Sequence, residues 1–582
     1  MNYHLITSGA KIDQKNKIYL GIWCDEIKKK IRLKKEIDKN YLVGIKKKER
    51  VIIEKKILIY EKILFSKIVN ILNIAHGSNY SQNYYNYIIG KWLRRYIMAF
   101  LNRFFSIEKV LRIKKINNIH LQIYKKFYPP LDSYNAIEYF SDSQINDHIY
   151  KNAINIFSKE NKVNIHVNKI NNPIIKKINT KRNFLIRLLN AINDFSQRIF
   201  SKFDKYFVQN SYLPIYKEFL LNLYFLQFPK INKPLKKRIK KKVNHKLRNK
   251  LKNLLIKDKE LNQNLELKFL SENIFDFMPT SYLENFRSIK KMVKTSTWPK
   301  KPKLIFTSNQ FDTDEYFKIY LAEQKQNNNV IYLIGQHGAR YNFLKEIFTQ
   351  EIDIADKILV WGNYITNKKF LRGNILKSKK IKNNSNGKIL IVCRAINYRY
   401  EFYDQTYFFY NNIYKKINFL RKFNKNFVYE NFFIRLGKSI EKFGFEEDKK
   451  IKHYFPKIFI EKDNSILESY KVSKLVIHFY FATTFFECIS QNIPSIMFLN
   501  KDELNQFNNN IKKTIKDLEK NNLVFFSIEK MYEFIKINNK NIEKWWLSEK
   551  IQNCVYEFST NFCKGSDFNQ IVKVIKSIKI QK

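Results

Sequence analysis

The feature that most constrains the fold is a regular alternation of short apolar runs and helical segments in the second half of the chain. Three such runs, Lys303–Ser308 (KLIFTS), Val330–Gly335 (VIYLIG) and Lys357–Gly362 (KILVWG), have the length and apolarity of buried strands. Strand–helix alternation is typical of parallel sheets of the doubly wound kind. The sequence therefore predicts an α/β fold.

A second block of the same kind follows a low-complexity stretch, Lys377–Gly387, which has the composition of a linker. Six further apolar runs in this block predict strands: Lys388–Cys393, Asn431–Leu436, Lys457–Lys462, Lys474–Phe479, Ser495–Leu499 and Val524–Ile528. Two blocks on either side of a linker predict two α/β domains that face each other across a cleft, with boundaries at 1–376 and 388–582.

The first half of the chain has a different pattern. His4–Thr7 and Ile18–Cys24 predict two short strands, and helical spacing then extends over Lys55–Tyr128 and Thr180–Leu270. We therefore expect a large helical insertion, at about 55–300, within the N-terminal domain. In it, Lys230–Lys257 contains many cations and no acid, with apolar residues at helical intervals, which predicts a basic amphipathic helix.

Composition narrows the class of protein. The 582 residues include 108 Lys plus Arg and 52 Asp plus Glu, a net charge of +56, so the chain attracts polyanions such as nucleic acid, anionic lipid or phosphorylated substrates. An aromatic content of 16% excludes global disorder. Five cysteines without zinc-ligand spacing favour a reduced, cytoplasmic setting, and we identify neither a signal peptide nor a spanning segment.

The candidate functional residues directly follow predicted strands in the sequence, because ligands of open parallel sheets bind outside the carboxyl ends of the strands. Gln336, His337 and Gly338 directly follow the strand Val330–Gly335. A histidine there can take a proton from an acceptor hydroxyl, and glycine allows a substrate to approach the backbone. The alternative, which has equal weight, is a structural histidine in a tight turn.

The C-terminal block has a comparable segment behind the strand Lys474–Phe479. Thr483 and Thr484 stand at the start of a predicted helix, and Glu487 follows one turn later. Hydroxyls and free N–H groups at a helix start suit the phosphates of a nucleotide, and the carboxylate suits ribose hydroxyls. The alternative is ordinary capping by Thr483, with Glu487 as a first-turn acid. His478 either lines the same pocket or packs as a neutral strand histidine.

Three cations also follow predicted strands of the second block: Arg435, Lys438 and Arg394. Each of them either contacts donor phosphate or is a solvated surface residue.

The segment Asp312–Glu315 contains the Asp-x-Asp pattern of a divalent-metal site. Asp312 and Glu315 also have the spacing of a capping box, which favours a helix start over a metal site.

The basic segment Lys230–Lys257 has two candidate partners, an anionic membrane surface and the phosphates of nucleic acid. The sequence contains no zinc finger and no aromatic RNP motif, which disfavours nucleic acid. A merely solvated helix is the alternative.

Four groups of motifs, in order along most of the chain, resemble a family of transferases encoded among bacterial surface-polysaccharide genes. They are Leu20–Cys24; Leu72–Asn73, His76–Gly77, Ser81, Tyr84–Tyr85 and Lys91–Leu93; Gln336–Gly338, Asp356–Lys357 and Trp361–Gly362; and Thr483–Thr484, Glu487 and Asn492–Pro494. The second half of that family is similar to GT-B transferases, particularly Kdo-type sugar transferases and CDP-glycerol glycerophosphotransferases.

This resemblance implies a GT-B-like fold of two Rossmann-like domains, with the donor nucleotide bound mainly by the C-terminal one and no essential metal. It also implies that His337 and Gly338 stand where relatives carry a His-Gly base, and that Thr483, Thr484 and Glu487 hold donor phosphate and ribose. The sequence departs from the relatives where Arg435–Lys438 replaces an Arg-x-His-Pro motif and where His478 replaces an Asp.

The expected function is that of a metal-independent glycosyltransferase without a cofactor. It would move a sugar from a nucleotide-sugar donor, a CMP-linked acidic sugar being one candidate, to a growing cell-surface glycan. The acceptor would be lipid-linked or phosphorylated and the enzyme peripheral at the inner face of the membrane. The alternatives on the same fold are a CDP-polyol-type phosphotransferase and a nucleotide-sugar epimerase, and a nucleic-acid-binding protein is the alternative of a different class.

Overall fold

The computed structural model describes residues 3–13, 16–21, 23–24, 47–113, 116–157, 163–172, 193–235, 242–339, 341–345, 349–377, 381–393, 406–437, 446–462 and 465–578. Within these ranges the chain forms three parallel sheets. Their strands are β1 Tyr3–Ile6, β2 Lys17–Tyr19, β3 Ile116–Tyr124, β4 Asn164–Ile170, β5 Tyr206–Val208, β6 Leu304–Thr307, β7 Ile331–Gly335, β8 Lys357–Val360, β9 Phe370–Arg372, β10 Lys388–Val392, β11 Phe432–Arg435, β12 Phe459–Glu461, β13 Ser473–His478, β14 Ser495–Phe498 and β15 Val524–Phe525.

Helices cover most of the remaining described residues. They are α1 Lys47–His76, α2 Gln82–Tyr85, α3 Lys91–Ile113, α4 Ser133–Ser141, α5 Ser143–Phe157, α6 Ile215–Tyr224, α7 His245–Ile256, α8 Leu265–Phe277, α9 Phe286–Lys294, α10 Gln310–Thr313, α11 Glu315–Asn327, α12 Glu351–Ile354, α13 Thr406–Leu420, α14 Lys425–Asn431, α15 Glu447–Tyr454, α16 Ile466–Lys471, α17 Thr483–Ser490, α18 Ile511–Lys520, α19 Ile528–Asn538, α20 Ile542–Trp546, α21 Glu549–Phe562 and α22 Phe568–Ser577. A π-helical turn, Asn86–Gly90, joins α2 to α3.

The C-terminal sheet has the strand order β12-β11-β10-β13-β14-β15, and all its pairs are parallel. Counted along the chain, this is the doubly wound order 3-2-1-4-5-6. The strands are continuous apolar runs because both faces are covered: Ile389 and Ile391 face one core cluster, whereas Leu390 and Val392 face another. The strand order reverses between β10 and β13, so a ligand crevice is expected at the carboxyl ends of these two strands.

The middle sheet has the parallel order β5-β6-β7-β8-β9. Leu304 and Leu333 on one face pack against α6 and against Ile571 of α22, the last helix of the chain, whereas Ile305 belongs to the core cluster that contains Phe317 of α11. The C-terminal helix therefore returns to the middle sheet. Two parallel sheets with helices on both faces confirm the predicted GT-B-like α/β fold.

The N-terminal region departs from its prediction. A third parallel sheet, β2-β1-β3-β4, recruits Ile116–Tyr124, which helical spacing had assigned to a helix. That prediction is wrong for these residues, because their apolar side chains alternate with polar ones at a period close to two and pair with β1 and β4. The range 55–300 is thus a mixed α/β region, since it holds β3, β4 and β5 as well as helices.

The basic segment Lys230–Lys257 also differs from its prediction. Its described helix is α7, His245–Ile256, whereas residues 230–235 are irregular and residues 236–241 lie outside the described residues. Lys230 is buried 2.5 Å from Asp204, and Arg248 is buried in a pair with Glu284 at 2.7 Å. Part of this segment therefore packs into the protein, where its buried cations are paired with acids, because a buried charge needs a partner.

The loop after β7 joins the middle and C-terminal sheets. Leu344 pairs with Phe507 in an antiparallel bridge, and the N–H of Asn508 donates to the carbonyl oxygen of Phe343 at 2.7 Å. The buried Phe343 ring lies within 4.9–5.2 Å, between ring centroids, of three rings from the C-terminal part: Phe481, Phe486 and Phe562. Aromatic packing and backbone hydrogen bonds thus hold the two halves together at this point.

We predict that Phe343→Ala destabilises the protein by about 3–5 kcal/mol, since it removes a buried ring from a close-packed cluster. Thermal unfolding measures the effect. Phe459→Ala is the matched control, because Phe459 is 60% exposed on the edge strand β12. Equal shifts in the two variants would show that Phe343 does not carry the junction.

Candidate functional site

The turn after β7 is built around Gln336. Its side-chain Nε2 donates to the carbonyl oxygen of Gly338 at 2.9 Å, and its Oε1 accepts from the N–H of Trp361 at 2.9 Å. Its own carbonyl oxygen accepts from Trp361 Nε1 at 2.8 Å. Because Gln336 is buried and both ends of its amide are occupied within the protein, it acts as a positioning residue that shapes the turn.

His337 projects from this turn and is partly exposed. Its Nδ1 lies 3.2 Å from the hydroxyl oxygen of Tyr341. The rings of Tyr212, Phe311 and Tyr341 stand edge-on to the imidazole, with centroids 6.0–6.3 Å away. These rings follow β5, β6 and β7 respectively, so His337 lies where the carboxyl ends of three strands converge.

Sequence reasoning missed these aromatic neighbours. Their position in the sequence could have indicated part of this set, because Asn309 and Phe311 follow the strand β6 just as His337 follows β7. Asn309 Nδ2 donates to the Tyr212 hydroxyl at 2.7 Å, and burial raises the pKa of that hydroxyl. Tyr212 also has a φ of 66°, a left-handed conformation that is strained for a bulky residue and is concentrated at functional sites.

The helix α17 begins at Thr483, behind β13. The residue at its N-cap is Ala482, and no side chain caps the helix. The alternative that Thr483 caps this helix is therefore wrong. Helix starts without a side-chain cap leave backbone N–H groups directed at the space in front of them, which suits an anion.

His478, the last residue of β13, is fully buried, and burial lowers its pKa to about 3. Its Nδ1 lies 3.1 Å from Oγ1 of Thr484. It is therefore a neutral strand histidine that orients Thr484, and it does not offer a positive charge to donor phosphate.

Glu487 lies one turn along α17 from Thr483 and is partly buried. Burial raises the pKa of its carboxyl group, and the positive charge of Lys377 acts in the opposite direction. No described residue forms a hydrogen bond with this carboxylate, so its oxygens are available to ligand hydroxyls.

The turn after β7 and the start of α17 lie close together in the fold. A Cβ atom placed on Gly338 would lie 3.5 Å from Oγ1 of Thr483. This close approach brings the turn that carries His337 next to the start of the helix that carries Glu487. It lies behind β13, one of the two strands between which the strand order of the C-terminal sheet reverses.

Of the three predicted cations, the structure describes only Arg435, because Lys438 and Arg394 lie outside the described residues. Arg435 ends β11 and is buried, and its Nη1 donates to Oγ of Ser469 on α16 at 3.2 Å. The structure thus places this guanidinium against α16.

The acids of the segment Asp312–Glu315 have partners within the protein. Arg95 pairs with Asp312 at 2.6 Å and holds the pKa of that carboxyl below its usual range. The cap of α11 is Asp314, not Asp312 as the spacing suggested, and it accepts from the N–H groups of Tyr316 and Phe317. Over the described ranges, no group of three or more His, Cys, Asp or Glu is arranged to hold a metal ion.

A protein-family model described as LIC12162 family transferase matches residues 4–576 of the chain. The chain belongs to the LIC12162 transferase family. This result confirms the resemblance to a transferase family, and no curated protein matches the sequence.

Three solved structures are similar to this LIC12162 family member at low identity. Acinetobacter baumannii MurG has 8% identity and a TM-score of 0.32, covering 79% of this chain and 100% of that chain. The wall teichoic acid polymerase TagF has 11% identity and a TM-score of 0.33, covering 67% of this chain and 92% of that chain. The Streptomyces sp. SF2575 glycosyltransferase SsfS6 has 8% identity and a TM-score of 0.25, covering 64% of this chain and 91% of that chain. The fold of this chain is therefore defined by its own sheet topology and not by these structures.

Several residues of the motifs identified in the sequence have structural roles. A Cβ on Gly362 would collide with the carbonyl oxygen of Asn561, so this close approach requires glycine. Asn492 has a φ of 56° after α17 and accepts from Trp546 Nε1. His76 is buried between Tyr282 and Tyr85, and burial lowers its pKa to about 4.

We predict that the wild-type protein loses stability as pH falls below about 6.5, in part through His478. In that range the unfolded state binds a proton that the folded His478 accepts only near pH 3, so stability rises with pH. His478→Gln should reduce the loss between pH 6.5 and about pH 5 by up to about 2 kcal/mol. Unfolding measured at both pH values tests this, with the exposed His453→Gln as control; an unchanged loss in His478→Gln would contradict it.

Proposed function

We propose that this LIC12162 family member is a glycosyltransferase that moves a sugar from a nucleotide-sugar donor to a hydroxyl of a growing cell-surface glycan. The observation that carries the proposal is the close approach of Gly338 to Thr483, which brings the partly exposed His337 near an uncapped helix start. Membership of a transferase family supports the reaction class.

The donor side of the proposed site is the start of α17. Its backbone N–H groups and the hydroxyl of Thr483 would hold the donor phosphates, and Thr484, oriented by His478, would extend this surface. Glu487 would accept hydrogen bonds from ribose hydroxyls. A crevice at the reversal of strand order is where doubly wound sheets bind nucleotides, which supports a nucleotide donor.

The acceptor side is the turn that carries His337. The imidazole would take the proton of the acceptor hydroxyl while that oxygen forms a bond to the anomeric carbon. The bond between the anomeric carbon and the donor phosphate oxygen breaks in the same step, and the nucleotide leaves with that electron pair. Tyr341, whose hydroxyl lies 3.2 Å from His337 Nδ1, would orient the imidazole so that its other nitrogen faces the acceptor.

The leaving nucleotide would be stabilised by helix N–H groups and cations without a metal, because Asp312 and Asp314 have partners in the protein. The large excess of cations favours a phosphorylated or lipid-linked acceptor at the inner face of the membrane. A CMP-linked acidic sugar is the first donor to test.

We predict that calorimetry against CMP, CDP, UDP and GDP finds one nucleotide that binds, and that Glu487→Gln weakens its binding about 10–100-fold. This range is typical of lost hydrogen bonds to a charged group. Thermal stability at neutral pH should not fall, because burial already disfavours the charged carboxylate, as its raised pKa shows. The exposed Glu543→Gln on α20 is the control.

Unchanged affinity in Glu487→Gln, or no binding of any of the four nucleotides, would contradict the donor site. A large loss of stability together with affinity would instead indicate a structural role for Glu487.

We predict that His337→Gln lowers the turnover rate by about 10²–10⁴-fold, the contribution typical of a general base. The affinity for the nucleotide should be unchanged, because His337 belongs to the acceptor side. Mass spectrometry of products formed from the donor and a lipid-linked glycan fraction measures turnover. It also separates a transferred sugar from a transferred phosphopolyol and an isomerised donor, and either of the latter two products would contradict the proposed reaction.

A further inference from the structure

The helix α6 presents most of its apolar side chains to solvent, while Leu221 packs in the core and the polar Glu218 and Asn222 face the protein. On the inner face, Glu218 accepts from the backbone N–H of Ser211 at 2.8 Å, and Asn222 Nδ2 donates to the carbonyl oxygen of Lys230 at 2.9 Å. The outer face is made of six exposed side chains: Ile215, Tyr216, Phe219, Leu220, Leu223 and Tyr224. This arrangement is the reverse of an ordinary surface helix, whose apolar stripe faces the core.

A neighbouring segment is reversed in the same way. In the helical residues 193–200, Ser196 and Gln197 are buried. Phe195, Ile199, Phe200 and Phe203, in and just after this segment, are exposed. The Phe200 ring stacks on Phe228, just beyond α6, with centroids 4.3 Å apart, so the two segments adjoin. We call the exposed side chains of both segments the apolar platform.

Cations lie directly over the rings at the platform. Lys202 Nζ is 4.9 Å from the centroid of Phe203, and Lys576 Nζ is 5.6 Å from that of Tyr224. The acids of the two segments do not balance this charge, because Glu218 is turned inward and Asp194 pairs with Lys233 at 2.8 Å. The platform therefore combines exposed aromatic and aliphatic groups with positive charge.

This combination points to one kind of partner. Soluble proteins seldom expose a large contiguous apolar patch without a binding function. A second copy of the chain, related by a twofold axis, would bring two equally positive surfaces together. An anionic bilayer accepts both features, since apolar side chains enter the acyl boundary while lysines stay among the phosphates.

We propose that the apolar platform docks the protein on a membrane surface that contains anionic phospholipid. The attachment lies in the interface plane, and none of the described helices has the length and apolarity to cross a bilayer. This proposal concerns a surface apart from Glu487 and α17, and lipid binding does not depend on the donor. If the proposed function also holds, docking brings His337 towards the membrane, because Tyr212 stands three residues before α6 and contacts the His337 ring.

The test is co-sedimentation of the full chain with phosphatidylcholine vesicles, with and without phosphatidylglycerol at about three lipids in ten. We expect binding to the anionic vesicles and at least about a tenfold weaker binding for Phe219→Ser/Leu223→Ser, since apolar insertion is lost. Lys202→Glu/Lys576→Glu should weaken binding most at low salt. The control, Leu547→Ser/Tyr556→Ser, changes two exposed apolar side chains of the C-terminal region and should bind as the wild type does.

Vesicle binding and oligomeric state could each overturn the proposal. The first would do so through no binding of the wild type to anionic vesicles, or equal loss in the platform and control variants. The second would do so if Phe219→Ser/Leu223→Ser converts an oligomer to a monomer in analytical ultracentrifugation while vesicle binding is unchanged. That outcome would assign the platform to a protein interface. Nucleotide calorimetry on the same variants separates this result from a failure of the proposed donor site.

Discussion

The contact between the loop after β7 and the start of α17 joins parts of the chain about 145 residues apart, and the candidate site exists only because of it. Phe343 holds this contact by packing among Phe481, Phe486 and Phe562, and the bridge between Leu344 and Phe507 holds the backbone. Because both elements are tied to parallel sheets, the turn that carries His337 is fixed relative to the helix that carries Glu487. Fixed geometry of this kind is what a two-substrate transfer reaction requires.

Charge in this protein is divided between interior pairs and exposed faces. Lys230, Arg248 and Lys318 are buried with acidic partners, so they stabilise packing and do not attract ligands. The chain as a whole has a large excess of positive charge, which attracts anionic partners, and Lys202 and Lys576 bring part of it to the apolar platform. The excess positive charge would attract both a nucleotide donor and an anionic membrane, the donor at the start of α17 and the membrane at the apolar platform.

Much of the fold could be predicted from local pattern, because buried parallel strands are short apolar runs. The strands β6, β7, β8, β10 to β12, β14 and β15 lie within predicted runs, and β13 begins one residue before its predicted run. The strand β9 was missed, since Phe370–Arg372 has only three residues and follows two lysines. The strand β3 was missed because its polar positions resemble a continuation of the preceding amphipathic helix. The helix predicted over Lys230–Lys257 was too long, because the spacing of apolar residues does not reveal that Lys230 is buried against Asp204.

The candidate site could be predicted only in part. Position behind a strand identified His337, Thr483 and Glu487, and strand order then explains why such positions meet. The aromatic ring set around His337 was not predictable, because it arises from three loops that meet only in the folded chain. The sequence left the role of His478 open, and burial decides between the alternatives, because burial lowers the pKa of this imidazole to about 3.

The most direct test of the account is hydrogen–deuterium exchange with and without saturating nucleotide. We expect that peptides spanning 336–345 and 482–490 both become protected, because one ligand contacts the turn and the helix start together. Protection of only one of these segments, or protection confined to other regions of the chain, would contradict it.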